Sequence, residues 1–161
     1  NRYEETVSWF VPHGFEQVVV EVIPSPHPIR YVLETGGRQP AYLGAAGKAH
    51  MSTLAPKVVA DYLAALQPIQ LTRYRLDKAA LTDELAMIRA RGFATSEGER
   101  VEGAASVAVP VHGATGQVAG VVSVMMPRFR VSAEDIAEIG ETLKSRTAAL
   151  FQRDDGRRQA S

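Results

Sequence analysis

The sequence predicts a single α+β domain built on an antiparallel sheet. Two groups of segments rich in β-branched residues are joined internally by short turns, and helical patterns separate and follow them. Strands grouped in this way, without regular alternation with helices, favour an antiparallel sheet. The chain has 161 residues, of which 45% are hydrophobic and 22% charged, so it can bury one core of ordinary size.

The first group of strands is a predicted hairpin followed by a third strand. Residues 5–11 and 15–23 flank Pro12-His13-Gly14, which is a turn signal. Prolines at positions 24, 26 and 28 then interrupt the pattern. Residues 29–34 offer a third strand that ends before Gly36.

Three helices are predicted in the middle of the chain. The first covers residues 48–54 and the second residues 57–66, where apolar residues recur at helical spacing. A longer helix is predicted over residues 78–91, with one apolar stripe. Asp77 can cap its first turn and Gly92 can close its C-terminus.

A second hairpin and a last helix complete the predicted domain. Residues 104–111 and 117–126 are strands joined by a turn that contains two glycines. Ser132 caps a helix that runs to about residue 151, and acidic residues occupy its first turn. The ordered core is therefore expected over residues 5–151, followed by a polar, frayed tail.

Composition excludes several classes of function for this piece of protein. Lys plus Arg balance Asp plus Glu at 18 each, so no basic field draws it to nucleic acid. The absence of cysteine excludes disulfides and cysteine-ligated zinc, and favours a cytoplasmic protein. The longest apolar runs are strand-sized, so no membrane span is expected. The four histidines lack ligand spacing, and we expect neither a metal nor a cofactor.

The run G-A-A-G-K-A at residues 44–49 resembles a phosphate-binding loop only superficially. Tyr42 stands where such a loop has its first glycine, and Ala49 replaces the hydroxyl residue that binds Mg²⁺. Two interpretations remain open. The small residues either let a ligand approach the N–H groups at a helix start, or allow the helix to pack closely on the sheet.

Three blocks of sequence, in register, are similar to the effector-binding domain of IclR-type transcription regulators. They are G-G-R-Q-P-A-Y-L-G-A-A-G-K-A-H-M-S-T-L at 36–54, E-L-A-M-I-R-A-R-G-F-A-T-S-E-G-E-R-V-E-G-A-A-S-V-A-V-P-V at 84–111, and G-x-V-x-G-V-V-S-V at 116–124. The resemblance extends over about residues 5–151 and identifies the chain as the C-terminal domain of such a regulator.

The resemblance implies a GAF-like (profilin-like) domain, with helices on both sides of the sheet and a ligand pocket on one face. It implies that a winged helix-turn-helix domain, absent from this chain, carries DNA binding. The start at Asn1 without a methionine fits a piece cut from a longer protein. Members of this family act as dimers or tetramers and sense metabolites such as small carboxylates or aromatic acids. No enzymatic role is implied.

The resemblance also implies which residues line the effector pocket. Two small residues and a leucine lie around the first helix, and the others lie on the facing strands: Ala45, Ala46, Leu54, Ser96, Ala104, Ser106, Ser123 and Met125. Ser96 departs from the acidic residue that is frequent at this position in the family. Met125 occupies a position where family members can have a hydroxyl residue. We therefore expect a somewhat larger or more apolar effector, such as an aromatic acid, with its carboxylate on the amides near Ala45 and Ala46.

Other polar residues are weaker candidates. Glu97 and Glu99 lie in the run T-S-E-G-E-R, where an exposed turn is expected to leave both carboxylates solvated. His50 either lines the pocket or lies on the helix surface.

Two other functions compete with that of a regulator. A GAF- or PAS-like sensor module of a signalling protein that does not bind DNA would share this fold. A small enzyme is disfavoured because the sequence has no G-x-S-x-G elbow, no cysteine and no convincing pairing of histidine with carboxylate.

Overall fold

Six antiparallel strands form one sheet in the computed structural model, which describes the backbone of residues 3–158 and the side chains of residues 3–148. In chain order the strands are β1 Thr6–His13, β2 Glu16–Ile23, β3 Arg38–Pro40, β4 Ala94–Glu97, β5 Ala104–His112 and β6 Val118–Pro127. The helices are α1 Ala45–Met51, α2 Pro56–Ala65, α3 Lys78–Arg91 and α4 Ala133–Arg158, with a short 3₁₀ turn at Arg128–Arg130. The strand order across the sheet is β3-β2-β1-β6-β5-β4.

The sheet separates two apolar cores. Helices α1, α2 and α3 cover one face, where Phe10 and Val121 are buried. Helix α4 covers the other face, where Val107, Val124 and Ile139 are buried. Alternate residues of each strand point to opposite faces, which explains why the neighbouring residues Val121 and Val122 pack into different cores. The predicted α+β architecture with an antiparallel sheet is confirmed.

The predicted start and end of α3 are confirmed in atomic detail. One carboxylate oxygen of Asp77 accepts hydrogen bonds from the N–H groups of Ala79, at 2.9 Å, and Ala80, at 3.1 Å. Gly92 ends the helix with a φ of 89°, a conformation that glycine adopts without strain. α2, α3 and the strands of both hairpins lie within two residues of their predicted bounds.

Helix α4 begins as predicted but runs further. The backbone N–H of Asp135 donates to the Ser132 hydroxyl at 3.1 Å, and Ser132 N–H donates to the Asp135 carboxylate at 2.8 Å. The helix continues to Arg158, beyond the predicted end near residue 151. The end of the predicted tail, residues 159–161, lies outside the described residues.

Helix α1 begins earlier than the sequence predicted, at Ala45 instead of residue 48, and ends at Met51. Gly47 explains the close packing of this helix, because a Cβ atom there would lie 2.2 Å from the carbonyl oxygen of Ala41. Of the two interpretations of the small-residue run, close packing of the helix therefore explains Gly47. Leu54 lies beyond the end of α1.

The predicted third strand at residues 29–34 is wrong, and the third strand is β3. The free edge of β2 is used by the turn after residue 34: Val19 N–H donates to Gly37 O at 2.9 Å, and Gly36 N–H donates to Val19 O at 2.7 Å. β3 continues this pairing, so the partner position of residues 29–34 is occupied and Ile29 and Val32 are exposed.

Strand β4 was missing from the prediction, which placed a turn there. Its four residues pair with β5, with Ser96 opposite Ser106 and Ala94 opposite Ala108. A strand this short carries too little alternation to be recognised from sequence. Its position nevertheless matters, because it brings Ser96 to the face of the sheet that α1, α2 and α3 cover, next to β5 and β6.

Candidate functional site

A small cavity of about 40 Å³ lies between the start of α1, the sheet and the loop of residues 98–101. It offers room for about three water molecules or a ligand of a few heavy atoms. Seven of the eight predicted site residues line it: Ala45, Ala46, Ser96, Ala104, Ser106, Ser123 and Met125. A group as large as an aromatic ring would fit only if these walls moved apart.

Leu54 is the predicted site residue that does not line the cavity. Its side chain is half-buried against the core under α1, and its carbonyl oxygen accepts a hydrogen bond from Arg89 at 2.9 Å. Because α1 begins and ends three residues earlier than predicted, Leu54 falls outside the helix whose first turn faces the cavity.

Serine hydroxyls from adjacent strands face the cavity. Ser96 is paired with Ser106 across β4 and β5, and Ser123 is paired with Ser8 across β6 and β1. Ser96 and Ser123 are only 8% and 5% exposed, yet neither hydroxyl bonds to a residue in the described part of the chain. The Ser8 hydroxyl, beside Ser123, is itself buried and has no hydrogen-bond partner among the described residues. Buried hydroxyls usually have hydrogen-bond partners, so this group points to a ligand or water.

The loop of residues 98–101 is held to α1 by a buried ion pair. The Lys48 Nζ atom lies 2.5 Å from one oxygen of Glu99, and these side chains are 2% and 6% exposed. The other Glu99 oxygen accepts the backbone N–H of Gly44 at 2.7 Å. Lys48 also donates to the partly exposed Glu84 of α3 at 2.7 Å. The expectation of a solvated Glu99 is wrong, whereas Glu97 is exposed and pairs with Arg128 at the surface.

The position of Glu99 changes the expected electrostatics at the start of α1. The sequence suggested that an effector carboxylate would bind to the amides near Ala45 and Ala46. In the structure the carboxylate of Glu99 already lies at this helix start, bonded to Gly44 N–H. The Gly44 N–H is therefore not available to a second anion. Ala45 and Ala46 nevertheless contribute to the cavity wall.

Arg100 is the residue of the cavity wall that the sequence reasoning missed most clearly. Its side chain lies over Gly44, where a Cβ atom would be 3.0 Å from the Arg100 Cδ atom. The Nε atom of Arg100 is buried and bonds to no residue that the structure describes. Burial lowers the pKa of this guanidinium, since the charged form is separated from water.

The loop between α2 and α3, which contains Thr72 and Tyr74, covers the outside of the cavity wall. The Thr72 hydroxyl donates to the carbonyl oxygens of Gly98 and Glu99, at 2.6 and 3.1 Å. Burial, with Glu99 and then Glu84 nearby, raises the pKa of Tyr74 to about 12, so this phenol stays neutral. The loop of residues 98–101 is therefore fixed from both sides by specific polar contacts.

His50 neither lines the cavity nor lies on the surface. It is buried under the sheet, where its Nδ1 atom is 2.9 Å from the amide nitrogen of Gln17. Burial lowers the pKa of this histidine below its ordinary value of 6.5. A neutral imidazole can accept the Gln17 amide proton, which is consistent with a structural role.

A larger groove of about 650 Å³ lies toward the opposite end of β5, among the end of α1, α3 and α4. It contains none of the eight predicted site residues, and Arg89 on its wall already donates to the Ser52 and Leu54 carbonyls. The small cavity is the better candidate because unpartnered polar groups converge there.

Two features are absent from the part of the chain that the structure describes. No group of three or more acidic or histidine side chains has a geometry that could hold a metal ion. None of the helices found there is long and apolar enough to cross a membrane.

Residues 1–150 match the family described as "Bacterial transcriptional regulator IclR C-terminal". The chain is 34% identical over 128 residues to the HTH-type transcriptional regulator Rv1719 of Mycobacterium tuberculosis, covering 79% of this chain and 49% of that protein. It is 32% identical over 108 residues to the HTH-type transcriptional regulator BhcR of Paracoccus denitrificans, covering 65% of this chain and 38% of that protein. The chain thus spans half or less of these relatives.

Solved structures of similar proteins have the same fold. The Agobacterium tumefaciens repressor BlcR superposes with a TM-score of 0.84 at 30% identity, over 92% of this chain and 59% of that one. The C-terminal domain of the E. coli transcriptional regulator KdgR superposes with a TM-score of 0.78 at 25% identity, over 92% of this chain and 87% of that one. The GAF-like fold expected from the sequence is confirmed.

Proposed function

Because the chain belongs to the IclR family of bacterial transcriptional regulators, as their C-terminal domain, we propose that it binds a small organic effector and thereby controls operator binding by the whole regulator. The observation that carries this proposal is the cavity, which Ser96 and Ser123 line and beside which the Ser8 hydroxyl is buried with no hydrogen-bond partner among the described residues. A ligand that accepts or donates hydrogen bonds there would satisfy them. Candidate effectors are small carboxylates and aromatic acids.

The proposed signal passes through the wall of residues 98–101. Glu99 ties this wall to α1 and Thr72 ties it to the preceding loop, so an effector that favours one position of the wall would shift these contacts. Coupling between two sites in proteins is typically about 5- to 150-fold in affinity. An effect of this size on operator binding would be sufficient for regulation.

The remaining features of the proposal follow from the family. We propose that DNA binding belongs to an N-terminal winged helix-turn-helix domain of the longer protein, and two relatives are described as "HTH-type". We propose a cytoplasmic homodimer or homotetramer, because closed symmetric assemblies suit paired operator half-sites. No catalysis is proposed, since the relatives named above are regulators.

The effector can be identified by thermal unfolding of this chain in the presence of small carboxylates and aromatic acids. A ligand at a hundredfold excess over its Kd stabilises the folded state by about 2.7 kcal/mol. For a domain of this size the midpoint temperature should rise by about 5–10 °C. The shift should saturate with ligand concentration and be confined to one chemical class.

Substitutions that fill the cavity locate the binding site. Ser123→Val and Ser106→Val replace hydroxyls on the cavity wall with larger side chains that suit a strand, and they should abolish the shift. Thr95→Val is the matched control, because Thr95 lies on β4 but on the opposite face from Ser96. No shift from any compound, or a shift retained in both serine variants, would refute the proposed site. A ligand effect on operator affinity of the whole regulator would then test the coupling.

A further inference from the structure

Arg100 supplies a positive charge at the cavity that no side chain of residues 3–148 neutralises. Its Nε atom is buried without a hydrogen-bond partner, and burial alone accounts for its lowered pKa, with no carboxylate contributing. A buried donor of a charged group that bonds to nothing costs about 1–3 kcal/mol or more. A ligand that accepted this hydrogen bond would recover that cost.

The carboxylate that precedes Arg100 in the sequence is already committed elsewhere. Both oxygens of Glu99 are engaged, one by Lys48 and the other by Gly44 N–H. Glu84, the second partner of Lys48, does not line the cavity. The lysine therefore offsets Glu99, whereas Arg100 remains the charged group of the wall that lacks an internal partner.

We propose that the guanidinium of Arg100 binds the carboxylate of the effector, and that the effector is a small monocarboxylate of about two to four carbon atoms. This inference rests on the proposed function and specifies its ligand. Arginine presents its N–H donors in a planar fork that matches the two oxygens of a carboxylate. The ammonium group of a lysine is a point charge and lacks this match.

The serine hydroxyls define the rest of the ligand. Ser96, Ser106 and Ser123 can each donate or accept, so they suit a hydroxyl or keto oxygen near the carboxylate as well as the carboxylate itself. A cavity of about 40 Å³ accommodates a few heavy atoms but not a benzene ring. The structure therefore favours a short-chain acid over the aromatic acid that the sequence suggested.

Calorimetric titration with matched acids and amides tests the proposal. Acetate, lactate and butyrate are compared with acetamide, lactamide and butyramide, and benzoate with benzamide. The wild-type chain should bind at least one short acid about tenfold or more tightly than its amide, and tighter than benzoate. Arg100→Gln should weaken binding of that acid by about tenfold to a hundredfold and remove its advantage over the amide.

Three further variants keep the result interpretable. Arg100→Lys retains the charge without the fork and should fall between wild type and Arg100→Gln. Arg73→Gln removes an equal charge from a side chain that is 95% exposed, and should leave binding unchanged. Circular dichroism of Arg100→Gln checks that the variant is folded. Ser123→Val should abolish binding of acid and amide alike.

The possible failures are distinguishable. If the acid is preferred equally by wild type and Arg100→Gln while Ser123→Val abolishes binding, the Arg100 proposal is overturned and the proposed effector pocket stands. If Ser123→Val binds as well as wild type, the pocket itself is wrong. If no short acid binds better than its amide, or benzoate binds best, the proposed ligand class is refuted.

Discussion

Removing Lys48 should be among the most damaging single substitutions in this domain. In Lys48→Met the carboxylate of Glu99, 6% exposed, keeps the Gly44 N–H bond but loses its counter-ion. Breaking a buried ion pair from one side typically costs about 3–5 kcal/mol. Native domains are stable by only about 5–15 kcal/mol, so a large part of the total would be lost. The midpoint of thermal unfolding should fall by about 6–20 °C.

Urea denaturation monitored by circular dichroism measures this loss, and two variants calibrate it. Lys57→Met removes a lysine that is 84% exposed and pairs with Asp61 on one helix face, so its cost should stay within about 0.5 kcal/mol. The double variant Lys48→Met/Glu99→Leu removes both buried charges and should recover most of the loss. The reasoning is refuted if Lys48→Met costs no more than Lys57→Met, or if the double variant is less stable than Lys48→Met.

Two further predictions concern other buried positions. Gly47→Ala should destabilise the domain by about 1–3 kcal/mol or more, because its Cβ atom would meet the Ala41 carbonyl at 2.2 Å, whereas Gly113→Ala, with nothing closer than 3.8 Å, should be close to neutral in the same urea experiment. The pKa of His50 is lowered by burial, so the unfolded chain takes up this proton at higher pH than the folded one. The free energy of unfolding should therefore decrease as the pH falls below about 6.5, and less steeply in His50→Gln; equal slopes would contradict this account.

Much of the fold is predictable because its signals are local. The cap at Asp77, the glycine at position 92 and the apolar stripe between them specify α3 without reference to the rest of the chain. The two hairpins follow from short turns between β-branched runs. Seven of the eight residues that the family resemblance implied for the pocket line one cavity.

The errors arise where distant residues decide the outcome. Residues 29–34 have strand-like composition, but the edge of β2 is used by the turn at Gly36 and Gly37. Glu99 is separated from Lys48 by 51 positions, and nothing near it in the sequence indicates burial. The available signal was Lys48 itself, a lone lysine in the otherwise apolar run A-A-G-K-A, which requires a buried counter-ion if the helix is internal.

The lengths of the strands restrict how copies of this domain can associate. The outermost strands β3 and β4 have three and four residues, whereas the inner strands have eight to ten. An edge this short offers few free N–H and C=O groups, which limits the template for adding a strand from another chain. Growth of the sheet from one molecule into the next, and the fibrous aggregation that it can start, are thus disfavoured by the architecture. A closed assembly of this domain would have to form through the side-chain surfaces of helices and loops.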